Sequence, residues 1–94
     1  MSNHNRAPAF RFGSIYITEG AEEKLLVRDV AAGLLRHLSG DWGDVCEDDW
    51  KENELSLKHG FRLLSSYVDR NQHRFWIITE ADRSKTTILL PREY

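Results

Sequence analysis

The chain holds one cysteine, Cys46, among its 94 residues, so no disulfide can form within it. That pattern suits a reducing compartment, and a cytoplasmic location is expected. Long apolar runs are missing, which leaves no segment suited to cross a membrane. Residues 1–12 have no apolar stretch of the signal-peptide kind. The four histidines, His4, His37, His59 and His73, show neither an i, i+4 pair nor a cysteine at ligand spacing, so no metal site is expected. A Gly-rich strand-to-helix turn for a nucleotide cofactor is also lacking, and no cofactor is expected. Cys46 lies beside Glu47 and Asp48, whose charge works against a reactive thiolate. Repeats and low-complexity tracts are absent.

What is present describes a small folded domain. Hydrophobic residues make up 40% and charged residues 30%, ordinary proportions for a globular chain. Trp42, Trp50 and Trp76 bring large apolar surfaces. The length suits one domain, expected over 10–94 and preceded by a polar, flexible N-terminus over 1–9. Net charge is −2, but its distribution is uneven. Residues 41–54 hold Asp41, Asp44, Glu47, Asp48, Asp49, Glu52 and Glu54 against Lys51 alone, whereas the C-terminal part is mildly basic.

Periodicity gives the elements. Phe10–Thr18 alternates as a short strand, with a break foreseen at Gly13. A helix over 21–39 follows from Leu26, Val30, Leu34 and Leu38 at steps of four, widened by Val27, Ala31 and Leu35. Gly40 is placed to stop it. After a loop over 40–46, Glu47, Asp48 and Asp49 open a second helix, where acids suit the positive end of the dipole. It closes before Gly60. Its apolar stripe is thin, so it should rest on the domain rather than fill the core. Strands follow over 61–68, 74–80 and 86–90, the last stopped by Pro91. The expected fold is α+β, in the order β-α-α-β-β-β, with a C-terminal antiparallel meander and the first helix packed on one face. A meander leaves an edge strand free, so the chain is expected to be a monomer or an edge-paired homodimer.

Several segments together resemble a family. They are His37-Leu38-Ser39-Gly40-Asp41-Trp42-Gly43, Arg62-Leu63-Leu64-Ser65-Ser66-Tyr67, Phe75 through Ser84, and Thr86-Thr87-Ile88-Leu89-Leu90-Pro91. They are similar to short bacterial proteins of plasmids and other mobile elements. Such proteins are usually labelled "plasmid-related protein" or "type I restriction endonuclease subunit M". The resemblance spans about residues 10–94 and implies a mobile-element accessory protein. It brings no activity to any residue. The second label sits poorly with a chain this short, which has no room for a methyltransferase domain.

Two functional readings remain. In the first, the protein acts without catalysis by binding another protein through a surface of Asp41, Trp42, Asp44, Asp48 and Asp49. An acidic face of this kind could also imitate DNA, although acids at a helix start need no function beyond the dipole. Trp42 would mark a partner surface if exposed, and would simply plug the end of the sheet if buried. In the second, the protein is a small metal-independent ribonuclease of the toxin type. His37 would be the base, Arg62 or Arg74 the cation and Thr86 the phosphate-holding hydroxyl. Nucleic acid is expected as a partner only in this reading. A calcium loop is excluded because Gly43, Val45 and Cys46 stand where acceptors and a glycine are needed. A DNA-reading helix-turn-helix is disfavoured by the long connection and by an acidic second helix that would repel phosphate. Glu80 and Asp82 beside Arg83 are expected to form a salt-bridged turn.

Overall fold

The structure, a computed structural model, describes residues 8–94. The expected flexible N-terminus falls largely on residues 1–7, outside the described ones. Strand β1 covers Ser14–Ile17, and helices α1, α2 and α3 cover Glu19–Lys24, Val27–Leu38 and Glu47–His59. Strands β2, β3 and β4 cover Leu63–Val68, Arg74–Thr79 and Lys85–Leu89, and a 3-10 turn spans Pro91–Glu93. The fold is α+β in the expected order, with the first helical stretch divided in two.

That division lies at Leu25 and Leu26, both extended (ψ 150° and 136°). Neither Gly nor Pro marks it, and the apolar spacing runs straight through. Leu25 turns inward to join Ala21 in the core. Val27 and Leu35, expected to widen the buried stripe, point outward, while Val30 and Leu34 pack on the core. Gly33 faces the sheet at close range: a Cβ there would lie 2.9 Å from Phe75 Cζ.

The sheet order is β1-β4-β3-β2. Strands β2, β3 and β4 form the antiparallel meander, with Leu63 opposite Thr79 and Ile77 opposite Ile88. β1 joins the far side of β4 in parallel, Ile15 opposite Thr86. Strand alternation divides the residues between two faces. Leu63, Ser65, Tyr67, Phe75, Ile77, Thr79, Thr86 and Ile88 share the face covered by the helices, and all are buried. Arg62, Leu64, Arg74, Trp76, Lys85 and Thr87 take the other face, which Tyr94 partly covers by resting its ring 5.6 Å from that of Trp76.

The chain's end is fastened to the start of α1. Glu93 Oε1 accepts from Thr18 Oγ1 at 2.6 Å, and its Oε2 accepts from the Gly20 backbone N–H at 3.0 Å. A carboxylate at a helix start satisfies free donors and complements the dipole. These hydrogen bonds, Thr18 foremost, hold the Glu93 carboxyl below its usual pKa. Among the described residues, no helix is long and apolar enough to cross a membrane.

Candidate functional site

His37 closes the last turn of α2 and points into the covered face of the sheet, fully buried. Its Nδ1 lies 2.5 Å from Ser65 Oγ and its Nε2 2.9 Å from Thr79 Oγ1. Thr79 Oγ1 in turn lies 2.8 Å from Thr86 Oγ1, which donates to the Phe12 carbonyl at 2.7 Å. That last acceptor sets the direction of the whole chain. Thr86 spends its proton on a carbonyl, so it accepts from Thr79, and Thr79 accepts from His37 Nε2–H. Nδ1 is then left to accept from Ser65. One neutral tautomer satisfies every member. Burial lowers the His37 pKa to about 3, with the positive charge of Arg83 adding to the effect.

The Gly40–Gly43 loop is built around this histidine. Trp42 is fully buried. Its ring meets His37 edge-on at 5.6 Å and stacks on Phe10 at 6.2 Å, and its Nε1–H donates to Glu54 Oε2 at 2.8 Å. Asp41 is clamped by Arg36 through Nε at 2.8 Å and Nη2 at 3.2 Å, and accepts from the Gly43 N–H. The Arg36 bond leads in lowering the Asp41 pKa. The Asp41 carbonyl takes the Tyr67 hydroxyl at 2.5 Å. Gly43 sits at φ +75°, where a Cβ would fall 2.2 Å from Ser66 O. Its missing side chain lets the loop run against β2.

The expected binding residues therefore separate. Trp42 contributes plug and not surface, because its ring is enclosed by Phe10, His37 and the sheet. Asp41 is half-buried and committed to its clamp. Asp44, Asp48 and Asp49 are exposed together with Glu47 and Glu52. Beside them a cavity of about 280 Å³ opens between α3 and the start of β2, lined by Asp49, Glu52, Asn53, Phe61 and Arg62 among others. Ser56 is among its lining residues, and its buried hydroxyl has no hydrogen-bond partner among the described residues. Arg62 is drawn aside, donating to the Tyr94 hydroxyl with its guanidinium over that ring.

The four expected catalytic residues do not converge. His37 and Thr86 are buried on the covered face and bonded into the network above. Arg62 and Arg74 sit on the opposite face, where Arg74 donates to Ser66 Oγ at 2.7 Å and lies 3.5 Å from Asp44. Strand alternation separates Thr86 from Arg74, and Arg62, one residue before β2, is held on the open face by Tyr94.

Two residues have structural roles that the sequence did not assign to them. Arg83 stands at positive φ (63°) and pairs with neither Glu80 nor Asp82 through their carboxylates. It donates instead to the carbonyls of Phe61, Glu80, Ala81 and Ser56, tying the β3–β4 turn to the end of α3. Asn53 pairs with the backbone of Leu64 in both directions, at 2.8 and 3.1 Å. Its helical position is polar, and only the neighbouring strand edge explains its burial. No metal-ligating cluster of three or more His, Cys, Asp or Glu occurs among the described residues. Compared with family models, with curated proteins and with solved structures, the chain gives no match.

Proposed function

We propose that this is an accessory protein of plasmid-type mobile elements that works without catalysis, by binding another protein at the acidic start of α3. The observation that carries the reading is the cavity between α3 and β2. Asp49, Glu52, Phe61 and Ser56 line it, and the Ser56 hydroxyl is buried. Such a lining suits a lysine or arginine side chain, with carboxylates for the charge and an aromatic face for the stem. Asp44, Glu47 and Asp48 extend the same negative surface and would speed encounter with a basic partner. The family resemblance supplies the mobile-element setting. The ribonuclease reading loses support from the division of His37 and Thr86 from Arg62 and Arg74.

The test is capture of partners from a host carrying the element, with the wild-type chain and with a variant combining Asp44→Lys, Asp48→Lys and Asp49→Lys. Asp41 is left intact because its clamp holds the loop. Each reversed charge at the helix start costs about 0.3–1 kcal/mol, and Asp44→Lys also ends the pairing with Arg74, so circular dichroism confirms the fold. Loss of a specific partner from the variant is expected. Equal capture by both chains would refute the acidic surface. Metal-free release of 2′,3′-cyclic phosphate ends from RNA would reinstate catalysis.

A further inference from the structure

The two edges of the sheet are treated differently. At β2, the outward backbone groups are already used. Ser66 N donates to the Trp42 carbonyl at 3.1 Å, Ser66 O accepts from Asp44 N at 2.7 Å, and Leu64 pairs with the Asn53 amide. At β1, no described residue covers the outer edge, and all four of its residues are exposed. Apart from its short length of four residues, it carries no proline, bulge or inward charge to guard the edge. Instead it shows Ile15, Tyr16 and Ile17 at 44%, 54% and 40% exposure.

We propose that β1 pairs with β1 of a second copy of this chain, antiparallel about a two-fold axis through Tyr16. Both the register and the partner follow from the strand. Ser14 N donates to Ser84 O and Thr18 N to Ile88 O, so by alternation the backbone groups of Ser14, Tyr16 and Thr18 face β4. Those of Ile15 and Ile17 face outward. A two-fold axis at Tyr16 sets Ile15 opposite Ile17 of the second copy, and Ile17 opposite Ile15. Each pair exchanges both N–H···O=C bonds, and the two tyrosines meet as the non-bonded pair between them.

The triplet Ile-Tyr-Ile reads the same in both directions. Like residues therefore meet on each face, as an isologous contact requires. Isoleucines pack on the helix-covered side, and tyrosines on the open side, where Lys85 Nζ lies 5.7 Å from the Tyr16 ring centre. An axis at Ile15 serves less well. It gives one full pair and then asks Gly13, at φ +64°, to bond Ile17 from a non-extended backbone. The product is one continuous sheet through both copies, with α1 and α2 of each on the same side.

Sedimentation of the full chain across a concentration series should show a monomer–dimer equilibrium. Ile15→Lys with Ile17→Lys places like charges opposite each other and should weaken the dimer by about a hundredfold. Ile15→Lys with Ile17→Glu places opposite charges at both pairs and should recover much of that loss. In a Cys46→Ser background, Tyr16→Cys should oxidise to a cross-linked dimer, because the non-bonded pair brings the Cβ atoms within disulfide reach. Ile15→Cys alone, facing Ile17 of the other copy, should not. Ile15, Tyr16 and Ile17 are 40–54% exposed, and circular dichroism confirms that each variant keeps the fold. A chain that stays monomeric overturns the proposal and leaves the edge to a strand of another protein. A dimer indifferent to the lysine pair, charge variants that behave alike, or cross-linking at Ile15→Cys equal to that at Tyr16→Cys would each overturn it as well.

Discussion

Replacing His37 by Gln should change how stability depends on pH more distinctively than how large it is. In the folded chain the imidazole is neutral, with its pKa lowered to about 3 by burial and by Arg83. In the unfolded chain it titrates near 6.5. Below that value the unfolded state takes up a proton that the folded state refuses. The stability contributed by a neutral His37 is therefore complete above pH 6.5 and is lost as pH falls toward 3. The slope is about 1.4 kcal/mol per pH unit. Between pH 7 and pH 5 the loss amounts to about 2 kcal/mol, a large share of the ~5–14 kcal/mol that a domain this size holds.

His37→Gln gives up part of the Ser65–His37–Thr79 network and should cost about 1–3 kcal/mol at pH 7. It also removes the proton uptake, so the gap between variant and wild type should narrow steadily toward pH 5. Urea unfolding at fixed ionic strength, followed by tryptophan fluorescence at half-unit pH steps, measures both curves. His4, His59 and His73 occur in both proteins and cancel from the difference. Parallel curves from pH 7 to pH 5 would refute the buried neutral tautomer.

Four further outcomes follow from the packing. Trp42→Ala should cost about 3–5 kcal/mol, because the ring is fully buried between Phe10 and His37; equilibrium unfolding checks this, and a cost below that of a surface substitution would contradict the plug. Gly33→Ala should lower the melting temperature despite its gain in helix propensity, since the new methyl meets Phe75 Cζ at 2.9 Å; overpacking of this kind costs about 1–3 kcal/mol. Asn53→Ala leaves both Leu64 backbone groups without partners, so it should cost about 1–3 kcal/mol and raise light scattering on storage as the β2 edge is uncovered. Arg83→Lys should destabilise the turn measurably in hydrogen exchange, because one ammonium cannot reach the spread of carbonyls that the guanidinium fork serves.

The fold was legible wherever one periodicity dominated. The meander could be read from alternation and from the β-forming run Phe75–Thr79, and α3 from its acidic start and Gly60 stop. The break at Leu25–Leu26 was not legible, because apolar residues on both sides of it satisfy a single helical stripe and the turn is made by ordinary extended backbone. Where β1 pairs was equally hidden. Its parallel place beside β4 depends on the path taken by α1 and α2, which local sequence does not encode. At the site, the sequence pointed to His37, Asp41 and Trp42, and all three lie in one cluster at the end of α2. Their burial reversed the meaning of that cluster. Side chains with chemical potential were consumed by each other, and residue type alone cannot separate a reactive histidine from one whose two nitrogens are already occupied.

Many polar side chains of this protein are committed to one another, which narrows where it can act. Ser65, Thr79, Thr86 and His37 spend their capacity on one another and on Phe12. Arg36 is spent on Asp41, Arg70 on Asp29, Arg83 on backbone carbonyls and Asn53 on β2. Such satisfied networks make a fold specific, and a small domain with only one helix-covered sheet face gains from that specificity. Among the described residues, two larger features are not consumed in this way. One is the carboxylate surface of α3 with its cavity and the buried Ser56 hydroxyl, and the other is the bare backbone of β1. They lie at opposite ends of the sheet order, on the β2 side and the β1 side. Pairing at β1 would therefore leave both acidic surfaces of a dimer free and far apart. A partner with two basic sites would then be held at both, and avidity would be lost together with the dimer while each single contact persisted.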